Sequence, residues 1–141
     1  MQGAVKRADP PAETAAMARV LVVDDSQTMR KIIVKGLRDA GFGDCEFQEA
    51  ADGASALEAL RKLEFDLVLS DINMPGMDGL ALVRSVRDDA AISEDLPIVM
   101  ITTEGGLEKV QQALAAGATD YLRKPFTSDQ LREKIAGFLR A

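Results

Sequence analysis

Residues 66–71 read Asp66-Leu67-Val68-Leu69-Ser70-Asp71. The apolar stretch inside them is short and unbroken, and it ends on a carboxylate. Such a run, bounded by polar residues, predicts a strand buried on both faces. The pattern recurs on either side. Upstream, Val20-Leu21-Val22-Val23 ends at Asp24-Asp25, and a weaker strand spans Cys45 to Ala50. Downstream, Pro97-Ile98-Val99-Met100-Ile101 ends at Thr102-Thr103, and Asp120-Tyr121-Leu122-Arg123 precedes Lys124-Pro125.

Between these runs the apolar period lengthens to that of a helix. Ser26 is placed to cap a helix carrying Met29, Ile32, Ile33 and Leu37, which stops near Gly41. Ala54, Leu57 and Leu60 mark the next helix, and Leu80, Val83 and Val86 the third. Leu107, Val110 and Leu114 mark a fourth that Gly117 ends. Leu131, Ile135, Phe138 and Leu139 give the last its apolar face. Five strand-then-helix units predict an α/β fold, a doubly wound parallel sheet covered on both faces.

A chain of 141 residues suits one compact domain. Met1 to Ala18 is rich in Ala, holds Asp9-Pro10-Pro11 and lacks periodicity. It is read as a flexible N-terminal extension, 1–18, ahead of a domain at 19–141. Within it Lys6 and Arg7 cancel Asp9 and Glu13, so the domain carries the whole net charge of −6. An acidic surface without a basic stripe argues against nucleic acid or an anionic membrane as partner. No run approaches a transmembrane span, and the N-terminus lacks a signal-peptide core, so a cytoplasmic protein is expected. The chain has no histidine and one cysteine, Cys45. Ser-His-Asp and Cys-His catalysis, imidazole metal sites and a phosphohistidine carrier role are excluded, and so is a cysteine cage.

The polar residues gather at one place in the pattern. Asp24-Asp25, Asp71, Thr102 and Lys124 each stand at or just past the C-terminal end of a predicted strand. In an open doubly wound sheet, sites form in the crevice beyond those ends. Each residue alone could merely start a loop or cap a helix, but capping does not call for a lysine. Clustered carboxylates repel one another unless a cation balances them. Without sulfur or imidazole, a hard divalent ion fits, and Mg²⁺ fits best, since it takes a few carboxylates and keeps sites open for phosphate oxygens. A carboxylate nucleophile, a lysine and a hydroxyl around such an ion suit a phosphoryl group carried on aspartate.

These residues resemble the two-component receiver family and, within it, the single-domain chemotaxis regulators of the CheY-like type. The segments that carry the resemblance are Val22-Val23-Asp24-Asp25-Ser26, residues 70–79 from Ser70-Asp71 through Asn73-Met74-Pro75-Gly76 to Asp78-Gly79, Ile101-Thr102-Thr103-Glu104, and Tyr121-Leu122-Arg123-Lys124-Pro125-Phe126. The resemblance runs from about Arg19 to Leu139. It implies five strands in the order 2-1-3-4-5 with five helices. It implies that Asp71 takes a phosphoryl group from the phosphohistidine of a kinase. Asp25, Asp71 and the Asn73 backbone carbonyl would hold Mg²⁺, with Asp24 acting through water. Lys124 would pair with the phosphoryl oxygens, ahead of a cis bond to Pro125. Thr102 and Tyr121 would be the switch pair that remodels a surface near the fourth helix and fifth strand. Thr103 is bulkier than many relatives have there and is expected to hinder attacking water; Glu104 is a further modulating position. Gly105-Gly106 would loosen the start of the fourth helix or serve as a plain turn.

The implied role is a stand-alone response regulator, not an enzyme beyond its own phosphorylation and dephosphorylation. Its partners would be a histidine kinase, a protein effector such as a motor switch component, and a phosphatase. A phosphate sink or a phosphate-independent interaction module would carry similar residues. An aspartate-nucleophile phosphatase of the haloacid dehalogenase type would need an acid two residues past the nucleophile, where Asn73 stands. The last helix reaches the final residue, Ala141, without a linker, from which a complete single domain is expected. Met74 and Met77 are expected to pack against their loop. Gly41-Phe42-Gly43 lacks the third glycine of a dinucleotide loop.

Overall fold

The structure, a computed structural model, describes residues 18–103 and 107–139. The expected extension therefore lies outside the described residues up to position 17, and so do Glu104 and Gly105-Gly106. Ala18 stands at the border, where its carbonyl accepts the Glu46 N–H at 2.8 Å.

Strands β1 (Arg19–Val23), β2 (Glu46–Ala50), β3 (Leu67–Asp71), β4 (Ile98–Thr102) and β5 (Asp120–Arg123) alternate with helices α1 (Gln27–Leu37), α2 (Gly53–Lys62), α3 (Gly79–Asp88), α4 (Leu107–Ala116) and α5 (Ser128–Ile135). All strand pairs are parallel, in the order β2-β1-β3-β4-β5. Every residue of β3 and β4 is buried, as expected where helices cover both faces. The two faces give two cores. One packs Leu21, Val23, Val68 and Met100 against α2, α3 and α4. The other packs Val20, Val22, Leu69 and Ile101 against α1 and α5.

The helices start where the sequence supplies caps. Ser26, Asp52, Asp78 and Thr127 each accept a backbone N–H of the first turn through their side chains. Thr127 and Gln130 complete a reciprocal capping box.

Four of the apolar residues that mark the helices face outward. Ile32, Leu107 and Leu114 are exposed large hydrophobics, and Ala54 is exposed as well. Successive helical residues point about 100° apart, so Ile32 cannot share the stripe set by Ile33 and Leu37. On α2 the buried stripe is Gly53, Ala56, Leu57 and Leu60; on α4 it is Val110 and Ala113. Two ends differ from expectation. α1 gives way at Leu37 to a wider turn over Arg38–Phe42, in which Gly41 takes φ 104°. α5 ends at Ile135, and Phe138 and Leu139 fold back to donate to the Ile135 carbonyl. Met74 is buried and Met77 packs on the core, as expected.

Candidate functional site

Parallel strands share one direction, so their C-terminal ends share one edge. At that edge β1 delivers Asp24 and Asp25, β3 delivers Asp71, β4 delivers Thr102, and the turn after β5 delivers Lys124. One oxygen from each of Asp24, Asp25 and Asp71 lies within 4.8 Å of the others. Lys124 Nζ stands 3.7 Å from Asp24 Oδ2 and 3.8 Å from Asp71 Oδ1. The acidic set and the lysine thus meet, while Asp25 remains exposed at the mouth.

Local structure holds each piece. Asp24 is 2% exposed; its Oδ1 accepts the Ser26 N–H at 2.9 Å, which turns the chain into α1. Its amide donates to the Ala50 carbonyl at 3.1 Å, tying it to β2. Asp24 Oδ2, by contrast, is buried with no hydrogen-bond partner among the described residues. A carboxylate oxygen buried without a hydrogen bond is costly; the Lys124 ammonium at 3.7 Å only partly compensates it, and beside two more carboxylates it has the character of a cation ligand. This donor set is all oxygen and partly open to solvent, so it fits a Mg²⁺-like ion and not a soft metal.

Asp71 sits at the strand end with its side chain largely covered. Burial pushes its carboxyl above the ordinary 3.8, and the Asp24 charge adds to this; Lys124 and the N–H groups of Asn73 and Ile72 work against it. The Asn73 N–H reaches Asp71 Oδ1 at 3.4 Å. Behind the strand end α3 comes very close. The Gly79 N–H donates to the Ile72 carbonyl at 2.8 Å, and a Cβ on Gly79 would fall 2.7 Å from Ile72 Cα and nearer still to the Asp71 carbonyl. Only glycine leaves β3 in place there.

Thr102 is 3% exposed, and its Oγ1 donates to the Thr103 carbonyl at 3.2 Å. Its own carbonyl accepts the Lys124 N–H at 2.6 Å, which links the hydroxyl position to the lysine. The Lys124–Pro125 bond is cis. Thr103 is exposed. Tyr121 is half-buried on β5, with Lys134 Nζ 5.4 Å from its ring centroid. An open groove of about 650 Å³ lies between β5 and α5, lined by Leu122, Lys124, Pro125 and Gln130 among others.

Two cations escape a reading of the sequence. Arg30 of α1 donates through Nη1 to the Asp24 carbonyl at 2.7 Å and through Nε to Glu49 Oε1 at 2.9 Å, clamping the acidic loop to the end of β2. Lys109 of α4 donates to Asn73 Oδ1 at 3.0 Å. The available signal was positional: each lies in or at the end of a helix's first turn, where the helix dipole disfavours a cation.

Comparison with known proteins agrees with this geometry. The model of the response regulator receiver domain matches residues 20–136. The chemotaxis protein CheY-3 of Vibrio cholerae is 45% identical over 117 residues, covering 83% of this chain and 88% of that protein. The chemotaxis protein CheY of Pseudomonas aeruginosa is 44% identical over 117 residues, covering 83% and 92%. Among solved structures, the chemotaxis protein CheY4 of Vibrio cholerae superposes with a TM-score of 0.77 at 43% identity, covering 88% of this chain and all of that one. The receiver domain of a sensor histidine kinase from Pseudomonas aeruginosa, with a magnesium ion coordinated in its active-site cleft, gives 0.76 at 27% identity, covering 89% and 100%. The chain belongs to the response regulator receiver family, and its likeness is to the CheY-like members.

Proposed function

We propose that this chain is a stand-alone phosphoacceptor, in which Asp71 takes a phosphoryl group from a histidine kinase and a protein-binding surface changes in response. One observation carries the reading: three carboxylates meet within 4.8 Å, one of them with an orphaned buried oxygen, and a lysine ammonium faces two of them. Three carboxylates with one ammonium among them are well suited to receiving a cation and a dianion.

Asp25, Asp71 and the Asn73 carbonyl would hold Mg²⁺, with Asp24 behind them. When bound, Mg²⁺ supplies charge neutralisation for the carboxylates and for phosphoryl oxygens. The Asp71 carboxylate attacks phosphorus in line with the departing imidazole nitrogen; the O–P bond forms as the P–N bond breaks, and the imidazole leaves with a proton from solvent. Lys124 then exchanges its contacts with Asp24 and Asp71 for a phosphoryl oxygen. Thr102 gives up a long neutral bond to the Thr103 carbonyl for a charge-assisted one, which is stronger. Movement of Thr102 frees space that Tyr121 enters, leaving the Lys134 ammonium behind. The face around α4 and β5 changes, and the groove beside β5 supports the neighbourhood of this strand as the effector surface. The receptor of the signal would be a protein such as a motor switch component, with a kinase and a phosphatase as further partners. No described helix is long and apolar enough to cross a membrane, which is compatible with a cytoplasmic role for a domain at 19–141 preceded by an extension.

Intact mass after incubation with acetyl phosphate tests the proposal. A Mg²⁺-dependent gain of one phosphoryl mass, lost in Asp71→Asn, is the expected result. No adduct with acetyl phosphate, and no trapping by beryllofluoride, would overturn it and leave a phosphate-independent interaction module.

A further inference from the structure

We infer that the Lys109–Asn73 hydrogen bond is a latch through which cation binding in the acidic pocket is transmitted to α4. The inference rests on the Mg²⁺ reading above and adds a positioning residue, Lys109, which that reading does not contain.

Apolar burial holds α4 weakly. The helix buries only a valine and an alanine, Val110 and Ala113, whereas α2 and α3 each bury four residues, large aliphatics among them. Leu107 is 59% exposed and Leu114 37%. Among the described residues, polar clips at the two ends add to that attachment. At the C-terminal end Arg87 Nε donates to the Gly117 carbonyl at 3.0 Å. At the N-terminal end Lys109 Nζ donates to Asn73 Oδ1 at 3.0 Å. The lysine sits in the helix's first turn, where the dipole opposes a positive charge, and ordering its long side chain costs further entropy. The bond to Asn73 offsets both.

The two clips differ in what they grip. Arg87 grips backbone far from the pocket. Lys109 grips the residue whose N–H bonds Asp71 Oδ1 and whose backbone carbonyl is the proposed third protein ligand. Ligation of a divalent cation by that carbonyl would pull on Asn73, and the cation's charge would repel the ammonium held on its side chain; both would lengthen the latch. α4 then loses its N-terminal clip while Arg87 keeps its C-terminal one, so the helix pivots at Gly117. Coupling of this kind is reciprocal: weakening the latch must favour the cation.

Hydrogen exchange and Mg²⁺ titration of the full chain test this without any phosphoryl transfer. The informative amides are Gln111 to Leu114, which donate into the first turn of α4. In the metal-free protein Lys109→Met should speed their exchange roughly threefold, a modest exposed-bond effect, and Asn73→Ala should match it. The double variant should be no faster than either. Mg²⁺ should speed these amides in the wild type and leave them unchanged in Lys109→Met, which should bind Mg²⁺ roughly threefold tighter in keeping with the same coupling. Lys109→Arg, which keeps a donor and the charge, should restore wild-type behaviour. Wild type that binds Mg²⁺ with no change at α4, or single variants whose effects add, would overturn the latch alone. Wild type that binds no Mg²⁺ at millimolar concentration would overturn the metal reading and the latch with it.

Discussion

Arg87 and the acidic pocket, at opposite edges of this sheet, treat their polar groups in opposite ways. At the N-terminal edge of the strands, Arg87 from α3 donates to three backbone carbonyls, those of Gly117, Glu94 and Leu96, at 3.0, 3.2 and 2.7 Å. Burial pulls its pKa down, yet the guanidinium's planar fork matches the carbonyls around it. At the C-terminal edge, Asp24 keeps a buried oxygen without a hydrogen bond, and Thr102 makes one long bond to its neighbour's carbonyl. The Asp71 carboxyl is pushed up by burial and by Asp24. The Arg87 cluster at one edge is satisfied and spends its polar groups on stability, although Arg19 Nε at the start of β1 is buried without a hydrogen bond. The acidic pocket at the other edge is left unsatisfied, and that deficit is what an incoming cation or phosphoryl group can relieve.

If that contrast is right, the largest loss of stability should come from the satisfied edge. Arg87→Met should cost about 2–4 kcal/mol, since several charge-assisted bonds go at once and leave carbonyls behind. Urea denaturation at neutral pH measures it, and the surviving folded fraction should still take phosphoryl on Asp71. Next comes Gly79→Ala, at about 1–3 kcal/mol, because its Cβ would meet the backbone of Asp71 and Ile72 and something must shift. Unlike Arg87→Met, it should also slow phosphorylation by acetyl phosphate, since the strand end that carries Asp71 is what moves. Equal effects of the two variants on phosphorylation would break the contrast.

Much of the unsatisfied edge was legible in the sequence, and much of the satisfied edge was not. Asp24, Asp25, Asp71, Thr102 and Lys124 could be placed together because each follows a short apolar run, and parallel strands bring such ends to one edge. β5 falls on Asp120–Arg123 as expected, and the other strand bounds differ by a residue or less. Arg87 carries no comparable signal. Its partner carbonyl at Gly117 lies 30 residues away, and only the fold brings α3 under the end of α4. Lys109 and Arg30 carry only the positional signal of a cation in or at the end of a helix's first turn. Spacing placed Ile32, Ala54, Leu107 and Leu114 in their helices, but only packing decides which members of such an apolar set face inward.

Removing charge from the unsatisfied edge should stabilise the protein, by less than the satisfied edge loses. The raised pKa of Asp71 means that the native state holds its proton to higher pH than the unfolded chain does. Stability from this group therefore falls as pH rises through the interval above 3.8 and stays lost at neutral pH. Asp71→Asn should raise the Tm at pH 7 by a few degrees in metal-free buffer. Scanning calorimetry should show the gain shrinking as the pH is lowered toward 3.8. Added Mg²⁺ should narrow the gap at pH 7 from the other side, by stabilising the wild type more than the variant. A lower Tm for Asp71→Asn in metal-free buffer would mean that the pocket contributes to stability as it stands.

The smallest expected effect concerns how long the relieved state lasts. Thr103 is exposed beside the buried Thr102, and its carbonyl holds the Thr102 hydroxyl. The backbone contact survives truncation of the side chain, so Thr103→Ala should leave phosphorylation by acetyl phosphate unchanged. On the proposed reading, the side chain's bulk would stand where water approaches the phosphoryl group. Its removal should speed loss of the phosphoryl group roughly threefold, well under the tenfold that 1.4 kcal/mol of barrier would give. The decay of the phosphorylated mass after removal of acetyl phosphate measures it directly. An unchanged decay would assign phosphoryl lifetime to groups deeper in the pocket. Slower decay would mean that the Thr103 side chain helps water in, and the steric account of the mouth would be wrong in sign.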